Sequence, residues 1–170
     1  MKAVLISIRP NWCKLIWSGM KTVEVRKTRP KLETPFKVYI YCTEAESWEM
    51  RFPRTGLQQM NGRIIGEFVC DDVRRIGPEY CIIKEDIESA ITGSCLTVQQ
   101  VRNYAGWKSG ISYADLKDLY GWHISNLKIY NEPKELQNFT GLQTTRFGMR
   151  PIDVKRAPQS WSYVEEIGCE

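Results

Sequence analysis

An ammonium, a carboxylate and a guanidinium fall within six residues at Lys21, Glu24 and Arg26. Such a set can hold a polyanion or a polar base, or place a proton acceptor beside a cation that stabilises developing negative charge. The stretch carrying it, Ser18-Gly19-Met20-Lys21-Thr22-Val23-Glu24-Val25-Arg26-Lys27, opens on a glycine able to stop a helix, then alternates apolar and polar residues like a half-buried strand. Period two puts Thr22, Glu24 and Arg26 on one face and Val23 and Val25 on the core face, with Lys21 where the strand begins. The same pattern is compatible with an exposed face of self-neutralising ion pairs, which contributes little.

Other residues have matching chemistry. Arg9 joins Lys21 and Arg26 as a phosphate partner, while Trp12, Tyr39, Tyr41 and Trp161 are stacking candidates and Ser160 offers a hydroxyl. Tyr39 and Tyr41 are expected on the polar face of their strand beside Lys37. Trp12 and Trp161 also suit a core, Ser160 also suits the start of a strand, and Arg26 could be locked to Glu24 or to Glu67. Glu67 is a second carboxylate for acid–base work. His123, the lone histidine, is assigned no role.

The elements that must position these groups read as follows. Val4, Ile6 and Ile8 give a first strand with an apolar face, and Pro10 opens a helix that runs to Gly19. After the motif strand, Phe36 to Cys42 is a third strand and Ile64 to Val73 a fourth, where Gly66 marks a bulge or a close backbone approach. Residues 44–61 read as an irregular insertion whose Trp48, Met50 and Phe52 need a place to pack. The pattern then turns helical from Pro78 to Gly121, with Thr97 as N-cap for Val98 to Tyr104 and Ser112 as N-cap for Tyr113 to Tyr120. A strand follows over Trp122 to Asn131, broken by Pro133. Residues 140–156 read as a second irregular insertion before a last strand over Pro158 to Glu165. The fold class expected is α+β: one domain over residues 1–170, a small, mostly antiparallel barrel with short helices at its rim.

Composition narrows the function classes. With 42% hydrophobic and 26% charged residues, the 170-residue chain has the balance of a soluble globular domain. No apolar run approaches membrane-spanning length. Six scattered cysteines without a C-x-x-C pair argue against zinc and against a disulfide framework, pointing to a reducing cytoplasm with no metal or other cofactor. Residues 9–37 hold eight Lys/Arg against Glu24 and Glu33, a net +6 in a chain whose total is +4. That asymmetry suits RNA or DNA, and suits a solvated basic face equally.

At Gly19-Met20-Lys21-Thr22-Val23-Glu24-Val25-Arg26 the sequence resembles the ASCH domain family of the PUA-like superfamily, whose signature is a helix ending in glycine followed by G-x-K-x-x-E-x-R. Weaker likenesses flank it at Ile6 to Ile16, Gly62 to Glu67, Trp122 to Pro133 and Pro158 to Trp161. The resemblance implies a PUA-like β-barrel with a cleft beside the first helix, lined by Lys21, Glu24 and Arg26, and a role in binding single-stranded RNA or a modified nucleotide. Some small relatives hydrolyse N4-acetylated cytidine with the motif lysine, a threonine three residues later and a glutamate elsewhere. Here that threonine position holds Glu24, so the hydroxyl nucleophile is missing. A hydrolase acting on RNA or an acylated cytidine through Lys21 with Glu24 or Glu67 is the alternative; a protein-interaction domain with a vestigial cleft is the third class.

Overall fold

The computed structural model describes residues 1–44, 60–81, 84–107 and 110–168. Its centre is strand β1 (Lys2–Ile8), buried at every position after Lys2. Ala3 to Ile6 are all apolar, so both faces can be covered, where alternation alone led us to expect a single apolar face. Val4, Ile6 and Ile8 pack with Cys13 and Ile16 of helix α1 (Pro10–Trp17), while Ala3 and Leu5 enter a separate cluster on the other side. Pro10 stands at the first position of α1, where its missing N–H costs nothing.

The chain continues through β2 (Val23–Arg26) and β3 (Phe36–Cys42), then β4 (Arg63–Cys70) and β5 (Val73–Ile76). Two short helices follow, α2 (Lys84–Ala90) and α3 (Val98–Ala105). The remainder is β6 (Leu119–His123), β7 (Ser125–Lys134), β8 (Thr140–Thr145), β9 (Gly148–Asp153) and β10 (Trp161–Glu165). Seven strands hydrogen-bond in the order β7-β4-β3-β1-β10-β8-β9, and three more in the order β2-β6-β5. Only the β1–β3 pair is parallel among the described ladders.

This α+β architecture departs from the expected closed barrel. β7 and β9 lie at opposite ends of the larger order, so the described ladder does not close on itself. The motif strand β2 instead pairs with β6 in a smaller sheet, which has its own core: Val25, Ile76 and Leu119 meet Ile87, Val101 and Trp107 there. The long fourth strand accordingly divides at Asp71–Asp72 into β4, which serves one sheet, and β5, which serves the other. The expected late strand divides the same way at Ile124, with Asn126 at φ 47° just beyond, and β7 runs on through Pro133.

Two further expectations change. No helix forms over Tyr113 to Tyr120; a single 3-10 turn at Tyr113–Asp115 precedes β6. Residues 140–156 hold the regular β8–β9 hairpin. Residues 45–59, with Trp48, Met50 and Phe52, lie outside the described residues. Gly66 behaves as expected, since a Cβ there would stand 2.5 Å from the Lys128 carbonyl oxygen of β7, and the β3–β4 register shifts beside it at Ile40/Tyr41.

Candidate functional site

Ser18 caps the C-terminus of α1, and Gly19 at φ 75° turns the chain back so that the Lys21 N–H donates to the Leu15 carbonyl at 2.9 Å. This fixes Lys21 where its side chain runs inward, 2% exposed. Its ammonium donates to the carbonyls of Val23 at 2.8 Å and Ser94 at 2.7 Å and lies 3.2 Å from Glu24 Oε2, so all three donors are used. It also stands 5.1 Å from the centre of the Trp12 ring.

Glu24 meets a second cation through its other oxygen, with Arg26 Nη2 2.9 Å from Oε1. Arg26 also donates from Nη2 to the Ser7 carbonyl at 2.6 Å and from Nη1 to Ser160 Oγ at 3.4 Å, while its buried Nε has no partner among the described residues. The strand alternation therefore does place Glu24 and Arg26 on a common face, but that face is buried, not solvated. Burying ions is costly; here the carbonyls of Ser7, Val23 and Ser94 and the mutual pairing offset the cost. Thr22, expected on the same face, is exposed and lines a different cavity with Asp71 and His123.

The triad lines a cavity of about 440 Å³, within the range of small-molecule sites. Trp12 of α1 and Tyr104 of α3 are its aromatic residues; Ile8, Val25 and Leu96 are apolar, and Arg9, Gln100 and Gln159 are exposed polar groups around it. Lys27 Nζ lies 5.0 Å from the centre of the Tyr104 ring. Cys13 is buried and donates to the Ile8 carbonyl at 3.5 Å. Burial, reinforced by the Cys42 thiol, raises its pKa well above the ordinary range, so it is a neutral thiol and a poor nucleophile.

The other sequence candidates scatter. Tyr39 and Tyr41 are not cleft residues: both are buried with Ala3, Leu5, Ile64, Phe139 and Val164, on the opposite side of the sheet from α1. The Phe139 ring sits edge-on to Tyr39 at 4.9 Å, and the Tyr39 hydroxyl accepts from the Ile167 N–H at 2.9 Å. The alternation was read correctly, but that face is a second core. Glu67 pairs opposite Tyr39, accepts from the Tyr130 hydroxyl at 2.5 Å and lies 3.6 Å from Lys37; it does not line the cavity. Trp161 packs edge-on to Trp122 and Tyr163 and donates to Thr28 Oγ1 at 3.0 Å, outside the cavity wall. Ser160 does not line the cavity itself: its Oγ accepts from Arg26 Nη1, and its carbonyl accepts from the Ser7 N–H at 2.9 Å.

No protein-family model matches the sequence, and no curated protein does. Solved structures match in shape. The ASCH protein from Zymomonas mobilis superposes with a TM-score of 0.51 at 19% identity, over 96% of this chain and 88% of that one. A tyrosine-to-phenylalanine mutant of that protein gives 0.53 at 18% identity, covering 98% and 92%. A serine-to-alanine mutant gives 0.51 at 17%, covering 96% and 89%. The chain has the ASCH fold.

Within this ASCH fold the cleft residues that sequence reasoning missed are chiefly Leu96, Gln100, Tyr104 and Gln159. Gln100 and Tyr104 are four apart on α3, hence on one helical face. Thr97 caps that helix as expected, through a reciprocal pair in which Thr97 Oγ1 accepts from the Gln100 N–H at 3.2 Å and Gln100 Oε1 accepts from the Thr97 N–H at 2.8 Å. The i, i+4 spacing was visible in the sequence; that this face meets the motif strand was not. The assembled site can stack a planar group against aromatic rings, offer hydrogen bonds from amides and hydroxyls, and present a net positive floor.

Proposed function

We propose that the cleft binds single-stranded RNA or a modified nucleotide, with a base in the cavity and the backbone drawn by Arg9 and its basic surroundings. The observation that carries this reading is the cavity itself: two cations and one carboxylate, all nine-tenths buried, beside Trp12 and Tyr104. A flat aromatic wall and a fixed positive charge are what an unstacked base and its phosphate require. The ASCH likeness supports the fold that builds the cleft. The scattered cysteines, without a C-x-x-C pair, support the cytoplasmic setting that belongs to this proposal.

Binding is favoured over hydrolysis by occupancy. Both Glu24 oxygens face cations and every Lys21 donor is taken, an arrangement that suits a fixed charged floor better than a nucleophile or base. The threonine that an acetylcytidine amidase would place at position 24 is absent, and Glu67 lies elsewhere.

Fluorescence anisotropy with short single-stranded RNA at low salt tests the reading. Trp12→Ala and Tyr104→Ala should each weaken binding by about 1–3 kcal/mol, the value of one base–aromatic stack. Absence of binding at micromolar protein would sink it. Release of acetate from N4-acetylcytidine, lost in Glu24→Gln, would make the protein a hydrolase.

A further inference from the structure

Gln159, exposed on the approach to β10, lines the cavity of the Lys21–Glu24–Arg26 triad and also a second one, of about 640 Å³, formed between β10, the β8–β9 hairpin and residues 154–158. Lys155 and Arg156 line this second cavity, both exposed and neither engaged in an ion pair among the described residues. Asp153 is the carboxylate on the same wall. The hairpin extends the charge. Among the described residues Arg150 is held only by the neutral Gln143 carboxamide oxygen, at 3.1 and 2.8 Å, and Arg146 lies 4.6 Å from the centre of the Phe147 ring. From Thr140 to Arg156 there are four cations and a single acid, Asp153.

At the hairpin tip Phe147 is 85% exposed. One exposed ring is unremarkable by itself; a ring capped by a guanidinium, at the end of a basic surface that joins the cleft, has the makings of a stacking platform. Protein partners fit this place less well. β9 is the sheet edge, and Pro151 within it removes an N–H and blunts pairing with another strand.

We propose that the second cavity and the hairpin form a track for the single-stranded RNA backbone where it leaves the cleft past Gln159. Lys155 and Arg156 meet the nearest phosphates, Arg150 and Arg146 the farther ones, and Phe147 stacks a base at the end. The hairpin arm is about 20 Å long at strand rise, so the track holds several nucleotides. This rests on the cleft being an RNA site, and adds that affinity must depend on RNA length.

The test compares a mononucleotide with single-stranded RNAs of graded length up to ten nucleotides, binding to the full chain and measured by calorimetry. The decamer should bind at least tenfold tighter than the mononucleotide. Lys155→Ala with Arg156→Ala should weaken the decamer about tenfold and lower its log–log salt slope by about 1.4, at roughly 0.7 per lost phosphate contact. The same pair should leave mononucleotide affinity unchanged. Phe147→Ala should weaken the decamer about fivefold or more without changing the slope. All three side chains are exposed, so wild-type thermal midpoints are expected. Equal affinity for mononucleotide and decamer, or a decamer indifferent to these changes, overturns the track while the cleft reading stands. No binding by either RNA overturns both. A dimer that dissociates on Phe147→Ala, with RNA affinity intact, overturns the track by assigning the tip to contact between copies.

Discussion

Glu24 binds one buried cation with each of its oxygens, Lys21 at 3.2 Å and Arg26 at 2.9 Å. Removing its charge leaves two like charges facing each other out of water, whereas removing Lys21 leaves a balanced Glu24–Arg26 pair. Glu24→Gln should therefore cost about 3–5 kcal/mol of stability, and Lys21→Met about 1–3 kcal/mol for the Val23 and Ser94 carbonyls it orphans. Urea denaturation checks the order; a smaller loss for Glu24→Gln would show that the triad is solvated. Thiols provide a second check. Burial raises Cys13 far above its ordinary pKa and pushes Cys70 up to about 12, whereas Cys95 is exposed. At pH 8 iodoacetamide should label Cys95 in the native protein and leave Cys13 and Cys70 unmodified, as peptide mapping will show.

Helix α3 is the element on which the cleft wall depends. It is eight residues long and partly exposed, too short to persist without its cap and its packing. Val101 anchors it in the smaller core with Ile87 and Trp107, and the Thr97–Gln100 box sets where it starts. Thr97→Ala should cost about 1 kcal/mol. Because Gln100 and Tyr104 line the cavity, the same change should weaken RNA binding more than an exposed substitution at Gln99, which is outside the cavity. Equal affinity for the two variants would detach α3 from the site.

Over the whole molecule, charge is concentrated rather than spread. Residues 9–37 and 140–156 together carry more positive charge than the chain's net +4, so the rest is acidic. For an RNA in the proposed role, this polarity supplies long-range steering before contact. RNA affinity should fall linearly on a log–log plot against salt, and Arg9→Ala should flatten the slope by about 0.7 if it holds one phosphate. A salt-independent affinity would remove nucleic acid as the partner. Among the described residues no helix is long and apolar enough to cross a membrane.

Local pattern carried the motif and its frame. Gly19 ending α1, Pro10 starting it, Thr97 capping α3 and Gly66 under the β7 backbone all follow from backbone chemistry that a few neighbouring residues dictate. Alternation likewise put Glu24 and Arg26 on one face, and Lys21 lines the same cavity. Period two says which residues share a face, and it says nothing about what covers that face. Tyr39 and Tyr41 were placed on the correct side of β3, yet Phe139 and Val164, distant in sequence, make that side a core. Tyr104 and Gln159 reach the cleft from α3 and from the approach to β10, contacts that no local spacing encodes. Sheet order decided the rest. Pairing β2 with β6 instead of with its neighbours in sequence opened the barrel into two sheets, because burial of Val25 with Ile76, Leu119 and the two helices is won only when distant segments meet.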